Sequence, residues 1–185
     1  MFMKKIVRLD AYNNEHFDTG AGKLKRIVWH FTNAIFFNSS FHFYSLKVFL
    51  LRLFGAKIGT NVVIKPHVNI KYPWNLSIGD NVWIGEEVWI DSLEKIEIGN
   101  HVCLSQGALL LCGNHDYKKE TFDLITGKIR LEDGVWIGAK SIVCGGVICH
   151  SHSVLSVNSV AAKHLDAYTI YRGNPAQAVK ERIIE

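Results

Sequence analysis

Nine histidines are spread along this 185-residue chain, so a histidine by itself carries little. His115 stands apart by its place. It follows Gly113 and Asn114 and sits where an otherwise regular pattern breaks. An imidazole there could take a proton from a hydroxyl near neutral pH, because its ordinary pKa is about 6.5. An exposed loop histidine without a role is the plain alternative. Other chemistries find less support. There is no G-x-S-x-G elbow for a nucleophilic serine. Cys112, three residues from His115, offers a Cys–His pair on proximity alone. His150 and His152 would share a strand face, but no third ligand accompanies them, and no metal is expected. Neither G-x-x-x-x-G-K-[ST] nor G-x-G-x-x-G occurs, so a nucleotide cradle of either type is not expected.

What must position His115 is a repeat of six residues. An aliphatic residue recurs at Ile58, Ile64 and Ile70, then at Ile78, Ile84 and Ile90, then at Ile98, Leu104 and Leu110. It resumes at Leu131, Ile137, Val143, Cys149, Leu155 and Ala161. Gly often follows this anchor (Gly59, Gly79, Gly85, Gly99, Gly138), and Val stands four places after it from Val62 to Val147. A fixed period of this kind marks a solenoid. Three hexads make one coil of three flat faces, stacked on the next at about 4.8 Å. Gly at the corners supplies backbone freedom and room where a side chain would clash.

Stacking gives His115 its neighbours. Subtracting one 20-residue coil puts Asp91 beneath Leu111 and Glu86 beneath Gln106. Asp91 follows an inward anchor, so its carboxylate should face outward on the side of His115. There it would orient the imidazole or hold a ligand hydroxyl; a solvated surface Asp is the bland alternative. Glu86 and Asn114 are further candidates for substrate contacts.

The chain divides into residues 1–57, 58–163 and 164–185. Residues 1–22 read as irregular. Residues 23–37 space Ile27, Val28, Phe31 and Ile35 at helical intervals, and residues 41–54 form a second apolar helix that contains Lys47 and Arg52 and ends at Gly55. This hairpin would cap the open end of the coil. Alternatively it would touch a membrane, using its aromatics with Lys23, Lys25, Arg26, Lys47 and Arg52. Residues 112–130 are a loop that breaks the coil, and residues 176–184 read as a short closing helix.

The runs Ile78-Gly79-Asp80-Asn81-Val82-Trp83-Ile84-Gly85, Val135-Trp136-Ile137-Gly138-Ala139 and Gly173-Asn174-Pro175-Ala176 resemble the hexapeptide-repeat acyltransferases. Phe54-Gly55-Ala56-Lys57-Ile58-Gly59, Tyr72-Pro73-Trp74 and Trp89-Ile90-Asp91 resemble the colanic-acid branch of its sugar O-acetyltransferases. The resemblance implies a mainly β fold, a left-handed parallel β-helix of about five coils; the handedness is the family's contribution, since crossovers ordinarily favour the other hand. It implies that His115, seventeen residues after the Ile98 anchor, is the catalytic base. It implies acetyl-CoA as donor, in a groove between subunits lined by Ala139, Val157 and Ala162, with Asn174 and Lys180 at the nucleotide end. The family often has a basic residue after the Pro-Ala pair, where this chain has Gln177, and Pro where it has Gly145. The implied activity is O-acetylation of a sugar hydroxyl on a cell-surface polysaccharide precursor, by a homotrimer. Acetylation of another small acceptor, such as an antibiotic or amino sugar, and a non-catalytic β-helix scaffold are the alternatives.

Composition agrees with one globular domain of 48% hydrophobic and 21% charged residues. A net charge of +4 suits anionic small molecules or a membrane surface, and no basic, aromatic-laced face calls for nucleic acid. Cys103, Cys112, Cys144 and Cys149 contain no CxxC pair and read as free thiols of a reducing cytoplasm. Neither a signal-peptide pattern nor a membrane-length apolar run is present, so the expected location is the cytoplasm, with the inner face of the membrane as the alternative that the hairpin raises.

Overall fold

A computed structural model of the chain describes residues 5–185. Helix α1 (Lys23–Thr32) runs into a π-helical turn, Asn33–Phe37, and is followed by α2 (Tyr44–Leu53). The coil then begins. Its first turn is β1 (Lys57–Ile58), β2 (Val63–Ile64) and β3 (Asn69–Ile70). The second is β4 (Leu76–Ile78), β5 (Trp83–Ile84) and β6 (Trp89–Asp91), and the third is β7 (Ile96–Ile98), β8 (Cys103–Leu104) and β9 (Leu109–Leu111). A hairpin of β10 (Gly113–His115) and β11 (Leu124–Thr126) leaves the coil here. The coil resumes as β12 (Ile129–Leu131), β13 (Trp136–Ile137) and β14 (Ile142–Cys144), then β15 (Ile148–Cys149), β16 (Val154–Leu155) and β17 (Val160–Ala161). The chain ends in β18 (Thr169–Gly173) and β19 (Ala176–Glu181).

The strands stack into three parallel faces: β1-β4-β7-β12-β15, β2-β5-β8-β13-β16-β18 and β3-β6-β9-β14-β17. Register follows the repeat: Ile78 pairs with Ile58 and Ile98, and Ile90 pairs with Ile70 and Leu110. The anchors and the valines four places later form the core; Ile64, Ile70, Ile84, Ile90 and Leu110 are fully buried. Each contributes about 1.5–3 kcal/mol.

Two devices turn the corners. The residue three places after an anchor takes a positive φ: Asn61, His67, Asn81, Glu87, His101, Lys140, His152 and Asn158. Glycine right after an anchor serves a different need from the backbone freedom expected there. A Cβ on Gly79 would lie 2.8 Å from the carbonyl carbon of Gly99, and one on Gly138 would lie 2.7 Å from the Leu155 carbonyl oxygen. These glycines are required for close approach, while the left-handed backbone falls mainly to Asn, His, Glu and Lys.

The N-terminal hairpin closes the first coil by chemistry as well as by burial. In the body of the coil an anchor's carbonyl accepts a hydrogen bond from the coil before it, as Ile78 does from Gly59 N–H at 2.8 Å. Ile58, Ile64 and Ile70 have no earlier coil. Arg52 donates to the Ile58 oxygen at 2.8 Å, Lys47 to the Ile64 oxygen at 3.3 Å and the Lys65 oxygen at 2.9 Å, and Trp29 to the Ile70 oxygen at 2.9 Å. One side chain per face stands in for the missing coil. An orphaned carbonyl would cost about 1–3 kcal/mol. Lys47 and Arg52 are therefore committed to the cap and are not free for a membrane. The periodic stripe Ile27, Val28, Phe31 and Ile35 is the reverse case: it points away from the coil, and α1 attaches through Trp29 and Phe37.

The C-terminal segment corrects the sequence expectation. Residues 176–181 form a strand, not a helix. Gly173, with φ of 102°, turns the chain back antiparallel onto β18. A short charged tail would hold a helix poorly alone, whereas the edge of β18 offers it a full ladder. The coil also runs beyond residue 163. Leu165 bridges to Cys149 and β18 pairs with β16, so five complete turns carry a partial sixth.

Burial depresses the Lys47 ammonium to about 8. Below that pH both folded and unfolded chains hold the proton. Between about 8 and the ordinary lysine value the unfolded chain binds it more, so stability rises with pH in that window. The buried thiols, pushed up by burial, lower stability in the same window, so the Lys47 effect is read as a difference: between pH 8 and pH 10 the parent should gain about 2 kcal/mol relative to Lys47→Met in denaturant unfolding.

Candidate functional site

The break in the coil builds the site. After β9 the chain leaves the corner between the third and first faces, and Gly113–His115 pairs with Leu124–Thr126 as an outgrown arm. His115 therefore stands on the arm, one step beyond the last regular face. Its Nδ1 lies 2.9 Å from the Phe122 carbonyl oxygen. A carbonyl only accepts, so Nδ1 carries the proton and Nε2 keeps its lone pair. The ring stacks on Phe122, with centroids 4.5 Å apart, and meets Tyr12 edge-on at 5.7 Å. The His115 N–H donates to the Asn114 side-chain oxygen at 2.8 Å. The imidazole is thus held by its arm in one orientation and one tautomer.

His115 lines a cleft of about 530 Å³ with Asn114, Asp91, Lys71, Trp89 and Arg26. Asp91 pairs with Leu111 in the stack, as its position in the repeat predicts, and its carboxylate is on the His115 side. It is almost fully buried, which removes the solvated-surface alternative. Lys71 Nζ stands 3.4 Å from Asp91 Oδ1, an ion pair without hydrogen-bond geometry, and Oδ1 has no other partner in the protein. Arg26 Nε is also buried without a partner. Buried polar atoms of this kind are ready to meet a polar ligand. Arg26, Lys71, Tyr72 and Trp89 continue into a second hollow of about 440 Å³ against α1.

Glu86 is elsewhere. It lies in the corner between the second and third faces, where its carbonyl accepts from Gly107 N–H at 2.8 Å. Five residues carry the chain from Glu86 across the third face to Asp91, so within one chain it does not reach His115. Ala139 and Val157 share the corner of Glu86, one coil apart, with Asn158 N–H donating to the Ala139 carbonyl at 2.9 Å. Ala162 lies one residue beyond the Val143–Ala161 pair, in the column of Asp91, Leu111 and Cys144. Asn174 is in the turn between β18 and β19, next to Gly173, whose N–H donates to Ser159 Oγ at 3.0 Å. Lys180 is on β19 opposite Ile170. None of these five lines the His115 cleft.

Sequence reasoning missed the N-terminal strap. Tyr12, Asn14, Phe17 and Thr19 form one wall of the cleft. Arg8 N–H donates to the Glu120 carbonyl at 2.8 Å and Trp74 Nε1 to the Thr19 carbonyl at 2.7 Å, which tie the strap down at both ends. Tyr12 and Phe17, two aromatics in a polar stretch, were the available signal. The rival chemistries recede. Cys112 is buried, with its thiol pushed up to about 12 by burial and by nearby Asp91 and Glu94. His150 faces Glu132 at 3.4 Å and His152 stacks on Tyr168. Among the described residues no group of three His, Cys, Asp or Glu side chains could hold a metal.

No family model matches the sequence. The chain is 39% identical over 165 residues to the putative colanic acid biosynthesis acetyltransferase WcaF of Escherichia coli, covering 89% of this chain and 91% of that protein. Its fold matches a hexapeptide-repeat acetyltransferase of Vibrio cholerae crystallised with acetyl coenzyme A (TM-score 0.80, 23% identity, 95% of this chain and 97% of that one). It also matches a maltose O-acetyltransferase of Clostridium difficile (TM-score 0.74, 22% identity, 88% and 90%).

A buried, largely protonated thiol is unreactive. Cys112 should resist iodoacetamide at pH 8 in the folded protein and react only after denaturation, as read by intact mass.

Proposed function

Because this chain belongs to the family of colanic acid biosynthesis acetyltransferases, enzymes built on hexapeptide repeats, we propose that it moves an acetyl group from acetyl-CoA to a sugar hydroxyl of an exopolysaccharide or other cell-surface polysaccharide precursor. The observation that carries this reading is the His115 imidazole, which donates from Nδ1 to the Phe122 carbonyl and keeps Nε2 unprotonated at a polar cleft.

Nε2 takes the proton of the acceptor hydroxyl as its oxygen attacks the thioester carbonyl carbon. A tetrahedral intermediate forms, and backbone N–H groups near the arm stabilise its oxyanion. The C–S bond then breaks and the departing CoA sulfur takes the proton from His115. No covalent enzyme intermediate is needed, and the inert Cys112 supports a direct transfer in a ternary complex. Asn114 and Asp91 contact the sugar. The Phe122 carbonyl holds the imidazole as it becomes cationic.

The donor side calls for a second subunit. Ala139 and Val157 stand across the third face from His115, so one chain does not bring both halves together. A homotrimer would set the His115 cleft of one subunit beside the Ala139 and Val157 corner of the next, with Ala162 along the same arm of CoA and Asn174 and Lys180 at its nucleotide end. Glu86, out of reach within its own chain, would then approach the acceptor from the neighbour. Exposed Trp83, Trp89 and Trp136 on the flat faces support such an assembly, as apolar strips of this kind usually mark an interface. We place the enzyme in the cytoplasm at the inner face of the membrane, with a peripheral contact on the α1 side of residues 23–54, since Lys47 and Arg52 serve the cap. No helix of the described residues is long and apolar enough to cross a membrane.

His115→Ala should lower turnover by roughly 10²–10⁴-fold while acetyl-CoA binding measured by calorimetry persists; a variant with a near-normal rate would remove His115 from the mechanism. Light scattering should give three times the subunit mass. A fully active monomer would defeat the shared donor site.

A further inference from the structure

We propose that α1 is a docking helix for an anionic lipid bilayer, with its outward apolar stripe seated in the headgroup region. The stripe consists of Leu24, Ile27, Val28, Phe31 and Ile35, which are 75%, 55%, 46%, 60% and 58% exposed. Their spacing puts Leu24, Ile27, Val28 and Phe31 on one side of α1, a stripe about 100° wide, and Ile35 follows them in the π-helical turn. The opposite side carries Trp29 and Phe37, which are buried against the coil. A helix that meets its own protein through one face and presents a second apolar face to the outside has the form of an interfacial helix.

Charge selects the occupant. From Thr19 to Gly79 the chain contains no Asp or Glu, while Lys23, Lys25, Arg26, Lys47, Arg52, Lys57, Lys65 and Lys71 fall within it. The cap and the first coil therefore carry a strong excess of positive charge, with Asp18, Asp80 and Asp91 as the carboxylates at its margin. Lys47 and Arg52 are tied to coil carbonyls, and Lys25 leans over Trp74 with Nζ 4.9 Å from the ring centroid. Their charge remains at this end of the molecule even so, and Lys23 and Lys25 flank the stripe on its helix. A second copy of the same end would bring positive charge against positive charge. An anionic lipid surface brings the opposite sign together with an apolar layer at the depth the stripe requires.

The position of the helix gives the docking a use. Arg26 belongs to α1 and also lines the His115 cleft and the hollow beside it. Docked through its outward stripe, the helix opens that groove at the lipid surface, where it suits an acceptor saccharide carried on a membrane lipid. That consequence rests on the acetyltransferase reading; the docking does not, and it is measured without acetyl-CoA.

The test uses the full chain with vesicles of phosphatidylcholine alone and of phosphatidylcholine mixed with phosphatidylglycerol, read by co-sedimentation. Binding to the mixed vesicles that weakens as salt is raised is expected. The double variant Ile27→Asp, Phe31→Asp should reduce that partitioning by roughly tenfold or more, with melting temperature and solution mass unchanged. Lys23→Gln with Lys25→Gln should weaken binding less and flatten its salt dependence. The proposal is overturned if the protein ignores both vesicles, or if the double aspartate variant partitions like the parent. It is overturned equally if that variant changes the solution mass, since the stripe then belongs to a second copy.

Discussion

The hydrogen bond from one coil's N–H to the anchor carbonyl of the next is the interaction on which this molecule depends. It recurs at 2.8 Å from Gly59 to Ile78, Gly79 to Ile98 and Gly99 to Leu131. At that spacing there is no room for a Cβ on the donor, which is why glycine holds these positions. A second ladder runs beside it: Asp80, Asn100 and Asp133 side chains accept from the N–H groups of Thr60, Asp80 and Asn100 at 2.6–2.9 Å. The Asp80 carboxyl is held below its usual value by the Thr60 N–H and hydroxyl. Neither ladder stores much energy per bond: a neutral backbone bond of the first nets about 1 kcal/mol, and the carboxylate acceptors of the second are screened by solvent. Their effect is to fix the register, and the buried anchors supply the stability.

A fixed register makes the site possible. Asp91 is part of the coil, and the arm that carries His115 springs from the coil directly above it. The arm approaches closely: a Cβ on Gly113 would stand 3.3 Å from Asp91 Oδ2 and 2.6 Å from Leu93. The imidazole is then oriented from within the arm by Phe122. The rigid coil sets the floor of the cleft, and the arm and N-terminal strap set its walls. Loops carried on a rigid scaffold commonly bear function in this way.

The parts of this arrangement differ in how far the sequence discloses them. The coil, its three faces, the Asp91–Leu111 register and the interruption before His115 are all periodic or local, and they follow from residue spacing. Handedness came from resemblance alone. The corners are half legible: the glycines stand out in the sequence, but the φ-positive positions held by His67, Glu87 and Lys140 carry no residue signature. The orientation of α1 was not legible. Ile27, Val28, Phe31 and Ile35 have the period of a buried face, and only the packing of Trp29 and Phe37 shows that they point outward. The strand at residues 176–181 escaped for a related reason, because its partner edge on β18 exists only in the folded coil. The strap at Tyr12 and Phe17 lies more than ninety residues from His115, beyond the range of any periodic argument.

The account turns on one proton. If Nδ1 of His115 donates to the Phe122 carbonyl, Nε2 is the basic nitrogen at the cleft, and the chemistry follows. Long-range nitrogen–proton NMR of the imidazole in the folded protein at alkaline pH reads the tautomer directly. The account predicts a protonated Nδ1 and an unprotonated Nε2 for His115. A ring protonated at Nε2 would leave no base facing the acceptor and would contradict it.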